Sequence, residues 1–79
     1  MNKKNNILVY PNPSRGLFYI EGHDLSENNV IVKDKQGRTT NAVIYKYEKA
    51  LIVDLIDQPN GDYLLQHSIS GKSEWLVKK

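Results

Sequence analysis

The sequence predicts an all-β fold, a two-sheet antiparallel sandwich, on three observations. Seven short runs rich in Val, Ile, Leu, Tyr and Phe succeed one another along the chain, turn chemistry separates them at short intervals, and no stretch carries the 3.6-residue period of a helix. Many short strands so spaced make a sandwich or a barrel, and the sandwich is the commoner solution at this length. A chain of 79 residues has room for one domain and one small core, because a domain of this size buries only about 60% of the surface its unfolded chain exposes. With no cysteine, it has no disulfide and no thiolate metal site, and apolar packing must hold it together.

The strands are read at Ile7 to Tyr10, Leu17 to Glu21, Asn29 to Lys33, Ala42 to Lys46, Leu51 to Leu55, Tyr63 to Ser68 and Ser73 to Val77. Pro11-Asn12-Pro13 forces extended backbone, since each proline fixes its own φ and keeps the preceding residue out of the helical region. Ser14-Arg15-Gly16 then makes a sharp corner with a residue free to adopt positive φ. Asp34 to Gly37 reads as a hairpin loop in which Asp34 accepts from turn amides and Gly37 takes the left-handed position. Pro59-Asn60-Gly61 is another corner, and Ser70-Gly71 closes the last hairpin. Alternation places Phe18, Ile20, Val30, Val32, Leu51, Val53, Leu55, Tyr63 and Leu65 in the core, with Leu25 from a loop, and turns Glu21, Lys33 and Asp54 the other way.

Eleven basic residues face nine acidic ones, for a net charge of +2. Setting aside Lys3, Lys4, Lys78 and Lys79 leaves seven basic against nine acidic side chains, so the body is slightly acidic and the two ends are basic. That distribution lacks the basic, aromatic-interleaved face of a nucleic-acid binder. No segment approaches the ~20 apolar residues that span a bilayer, and Ile7 to Tyr10 is too short for the ~7 to 15-residue apolar region of a signal peptide. The chain is therefore either cytoplasmic or a piece of a longer exported protein.

Little in the sequence points to catalysis. His23 and His67 have no second ligand at metal spacing, and no cofactor is implied. His67 is expected at a sheet edge with one nitrogen in water. The serines lie in turns or at strand ends, where they satisfy local backbone, and Asp24 with Glu27, or Asp54 with Asp57, read as turn carboxylates. No catalytic or metal-binding residue is assigned. Tyr45 and Tyr47 share one strand face, which leaves open an independent glycan-binding or adhesion module as an alternative function, beside ordinary cross-strand packing.

The turn and strand residues, taken in order, resemble a known family. Val9-Tyr10-Pro11-Asn12-Pro13 is followed by Gly16, Phe18, Ile20 and Glu21; Val30 to Asp34 with Gly37 comes next; then Val53-Asp54-Leu55, Pro59, Gly61, Tyr63-Leu64-Leu65, and finally Leu76-Val77-Lys78-Lys79. This order is similar to the type A C-terminal sorting domain of the type IX secretion system of Gram-negative bacteria, over residues 7–79, with residues 1–6 a linker remnant or an added start. The resemblance implies a seven-stranded immunoglobulin-like sandwich that trails an upstream cargo domain. It also implies recognition by the secretion machinery in the periplasm, and removal by a sortase-like protease during attachment to the cell surface; a cleavage site in an exposed linker would fall upstream of Ile7. Pro11, Asn12, Pro13, Gly16, Asp34 and Gly37 are the structural motif positions. Gly61, Tyr63, Leu65, Leu76, Val77, Lys78 and Lys79 are the expected recognition residues, with Lys78 and Lys79 presented to an acidic receptor site. Asp62, Gln58 and His67 depart from the family pattern and are expected to make one edge of the late hairpin more polar.

Overall fold

Side-chain alternation decides which side of each strand turns inward, and the computed structural model, which describes residues 7–79, follows it closely. The strands are β1 Leu8–Tyr10, β2 Leu17–Glu21, β3 Val30–Lys33, β4 Val43–Tyr47, β5 Ala50–Asp54, β6 Gly61–His67 and β7 Ser73–Lys78. They form a four-stranded sheet in the order β1-β2-β5-β4 and a three-stranded sheet in the order β3-β6-β7, every pair antiparallel. This is the strand arrangement of an immunoglobulin constant-type sandwich, in which the first, second, fifth and fourth strands face the third, sixth and seventh. The reading of residues 1–6 as linker falls outside the described residues.

One cluster fills the space between the sheets, and it contains each of the ten expected core residues. Leu76 of β7 joins them, fully buried. Leu65 lies two residues beyond Tyr63 on β6, where antibody domains carry the second cysteine of their inter-sheet disulfide; here a buried leucine replaces the covalent link.

Strand ends differ from expectation where turns differ. Tyr47 pairs with Ala50 across a two-residue turn, Glu48-Lys49, in which Glu48 has φ +54°. No glycine or asparagine marks this turn, so the two strands it joins, five residues each as expected, both sit one residue closer to it than their sequence suggests. The Asp34 turn is also not a β3–β4 hairpin, because those strands belong to different sheets. It folds residues 38–40 back along β3, with Asp34 N–H donating to Arg38 C=O at 2.8 Å and Thr40 N–H to Val32 C=O at 2.8 Å, before the chain crosses over. Its capping is as expected. The Asp34 carboxylate accepts from the amides of Gln36 and Arg38 at 2.9 and 3.0 Å, and Gly37 has φ +83°. The bond from the Arg38 amide, with the nearby guanidinium, holds the Asp34 carboxyl below its ordinary range.

The corner after β1 has cis peptide bonds before both prolines. At its end Gly16 is buried, with φ +151° and its carbonyl accepting from Leu55 N–H at 2.7 Å. A Cβ built there would lie 2.9 Å from the Ile56 Cα and 2.8 Å from its Cγ1, so one backbone runs directly over another. Gly16→Ala combines this overlap with an unfavourable φ and should destabilise the domain by about 2 to 3 kcal/mol in urea unfolding. A loss below about 0.5 kcal/mol would show that the Ile56 segment yields freely.

Candidate functional site

Proline cannot donate to a sheet, so a strand edge laid along Pro11-Asn12-Pro13 must find other hydrogen-bonding groups. The Asn12 side chain supplies them. Its amide nitrogen donates to Trp75 C=O at 2.8 Å, and its oxygen accepts from Val77 N–H at 2.9 Å. A side-chain amide thus stands in for a peptide group. Two residues on, the main chain takes over: Ser14 N–H donates to Val77 C=O and Lys79 N–H to Ser14 C=O, both at 2.9 Å, in a parallel bridge. The corner that leaves the four-stranded sheet therefore covers the outer edge of β7 in the other sheet. The first motif of the sequence and the last are one element, joined across more than sixty residues.

The same end of the sandwich holds the β5–β6 loop by its carbonyls. Lys78 shares the inward face of β7 with Leu76 and is only 7% exposed. Its ammonium donates to Ile56 C=O at 2.8 Å and to Gln58 C=O. Tyr63, near the start of β6, donates its hydroxyl to Pro59 C=O at 2.5 Å. A tyrosine there, bonded to backbone a few residues upstream, is the tyrosine corner of immunoglobulin-like sandwiches. Burial pushes the Tyr63 phenol up from its ordinary value, so it remains a donor. Gly61, with φ +152°, is half-buried as it opens the strand.

The expected recognition residues thus differ in exposure. Tyr63, Leu65, Leu76 and Lys78 are buried, Gly61 and Val77 are half-buried, and Lys79 is exposed. The expectation that Lys78 and Lys79 point together to an acidic receptor is corrected. Adjacent residues of a strand face opposite ways, and Lys78 is spent on the β5–β6 loop. That inward turn was legible from Leu76, two residues earlier on the same face. The Asn12 contacts were not, since nothing local reveals which edge a side-chain amide will meet.

His67 is likewise corrected. It is 3% exposed on the inward face of the central strand β6, with Nδ1 2.8 Å from Ser70 Oγ and Nε2 3.0 Å from Asp24 C=O. Both nitrogens are engaged, and neither faces water. Asp62 and His67 lie on opposite faces of β6 and Gln58 lies in a loop, so the three departures do not form one polar edge. His23 is exposed beside the Asp24 carboxylate at 3.4 Å.

A groove of about 480 Å³ lies between the Asp34 turn and the β5–β6 loop, bordered by Asp34, Arg38, Gln58, Asp62 and Tyr63. These groups are largely occupied with one another or with local backbone: Asp34 with Arg38, Tyr63 with Pro59, and Gln58 Nε2 with Asn41 C=O at 3.3 Å. Among the described residues no cluster of three or more His, Cys, Asp or Glu is placed to hold a metal ion, and no helix is long and apolar enough to cross a membrane.

The fold and the β7 closure define a small immunoglobulin-like domain whose sequence motifs serve to lock its two ends together. The chain matches the model of the secretion system C-terminal sorting domain over residues 8–79 and belongs to that family. It is a C-terminal sorting signal for type IX secretion, a role that implies a cargo protein and the secretion machinery and is not enzymatic. No curated protein and no solved structure matches it.

The junction makes a graded prediction. Asn12→Ala removes a donor and an acceptor at an exposed edge and should cost about 1 to 2 kcal/mol, lowering the thermal midpoint by roughly 4 to 16 °C. Asn12→Asp keeps the acceptor for Val77 and should fall between alanine and the native residue. Equal midpoints for all three proteins would mean that the side chain contributes nothing to the closure.

Proposed function

We propose that the secretion machinery reads this domain as a folded object, with the terminal motif acting in two ways. Leu76 and Lys78 close the sandwich from within, while Val77 and Lys79, with Trp75, remain available on the outside. Gly61, Tyr63 and Leu65 belong to the first role: they fix the corner and the central strand, so substituting them disturbs export through the fold. The address passes through the periplasm still attached to its cargo and is removed by a sortase-like protease when the cargo is attached to the cell surface.

The observation that carries this reading is the β7 closure, which ties the terminal motif to the Pro11–Pro13 corner in a chain matching the sorting family over residues 8–79. A signal so built needs no contact with its cargo to hold its shape, as an address used by unrelated passengers must. The test is a reporter protein with this chain fused behind it, expressed in a bacterium that has the type IX system. The intact fusion should reach the cell surface or medium. Deleting Trp75 to Lys79 should leave a folded, active reporter inside the cell envelope. Surface delivery of the truncated fusion would refute the reading.

A further inference from the structure

Five of the nine large exposed hydrophobic side chains among the described residues, Leu8, Tyr10, Val43, Tyr45 and Tyr47, belong to one surface, the outer face of the four-stranded sheet. Each is between 38% and 60% exposed. The register sets them in rows. Tyr10 is opposite Tyr19, Tyr19 opposite Ile52, and Ile52 opposite Tyr45, so one row crosses all four strands, about 14 Å at the usual strand spacing. The Tyr10 and Tyr19 rings stack at 5.7 Å with 23° between their planes. Single exposed apolar side chains are ordinary, but five on one face, on its two edge strands and joined across the middle by half-buried Tyr19 and the covered Ile52, mark a surface that meets another molecule.

The charges on this face have one sign. Glu21 and Asp54 lie in its flanking rows, opposite Leu8 and opposite Leu17 and Val43 respectively. The only basic residue in the four strands is Lys46. It alternates to the other side of β4, where its ammonium donates to Leu25 C=O at 3.2 Å. The outer face of the three-stranded sheet is different: Ile31 and Trp75 are exposed there, but Lys33 stands in the same row as Leu64 and Trp75. The aromatic rows and carboxylates of the four-stranded face are therefore not a general property of this surface.

We propose that the outer face of the four-stranded sheet is a docking surface for a protein partner that presents arginine or lysine among apolar side chains. The tyrosine rings offer π faces to a guanidinium or ammonium and apolar area to its neighbours; Glu21 and Asp54 complement the charge and disfavour acidic partners. This rests on the sorting reading, because the partner is one the domain meets during export. It is distinct from the terminal strand, which belongs to the opposite sheet.

The test uses the same reporter fusion, with the complete chain, in a bacterium that has the type IX system. Tyr45→Lys with Tyr47→Lys places two cations on the face and should lower delivery to the surface or medium by about tenfold or more. Tyr45→Glu with Tyr47→Glu removes the same rings, keeps the sign of the face, and should lower delivery markedly less. Ile31→Lys on the other sheet should stay within about twofold of the native fusion. Thermal unfolding of each purified chain checks the fold, and Val43→Lys on the same face replaces the lysine pair if that pair proves unfolded. Native-level delivery by a folded lysine variant overturns the proposal, as does equal loss from lysine and glutamate. Failure of the native fusion itself to leave the cell overturns the sorting reading and this inference with it.

Discussion

The structure depends on how the outer edge of β7 is closed. A sandwich of two open sheets has four edge strands, and each presents unpaired backbone groups to the solvent. Here the edge of the last strand is covered by the corner that follows the first, through the Asn12 amide and the Ser14 main chain. Because that corner comes from the four-stranded sheet and β7 belongs to the three-stranded one, the closure joins the sheets along one side. A small core with no cysteine gains here a cross-link made of hydrogen bonds.

The other contacts at this end extend the same closure. Lys78 reaches from β7 to the carbonyls of Ile56 and Gln58, Tyr63 reaches from β6 to Pro59, and Gly16 lets the first corner pass over Ile56. A buried ammonium is stable only where acceptors replace its lost water, and the loop carbonyls serve as those acceptors. Loop and strands satisfy one another. The arrangement of the outer surfaces therefore depends on both ends of the domain being in place.

Much of this was legible in the residues. Alternation places Phe18, Ile20, Leu51, Val53 and Leu65 inward, and Asp34 with Gly37 fixes its turn through capping that acts over only a few residues. The sandwich follows from these local signals together with the strand count. What escaped is non-local or runs against residue type. Asn12 meets Trp75 and Val77 from the far end of the chain, and no spacing rule encodes that meeting. Lys78 and His67 look like surface residues by their chemistry, yet strand parity turns both inward, where carbonyl and hydroxyl partners await them. Parity outranked polarity at these two positions because the strand ends bring backbone acceptors within reach. The aromatic rows on the four-stranded face were visible only as Tyr45 and Tyr47 sharing a side and Tyr19 pointing opposite to Phe18; the register adds Tyr10 and lines the strands up into one row.

Amide hydrogen exchange at Val77 and Lys79 tests the closure most directly. Both amides bond to the corner, Val77 to the Asn12 side chain and Lys79 to the Ser14 carbonyl. If the corner and β7 are one unit, these amides open only when the whole domain unfolds, and their protection equals that of Leu65 in the central strand. Exchange at the fast rates of a fraying chain end, with Leu65 still protected, would contradict the account.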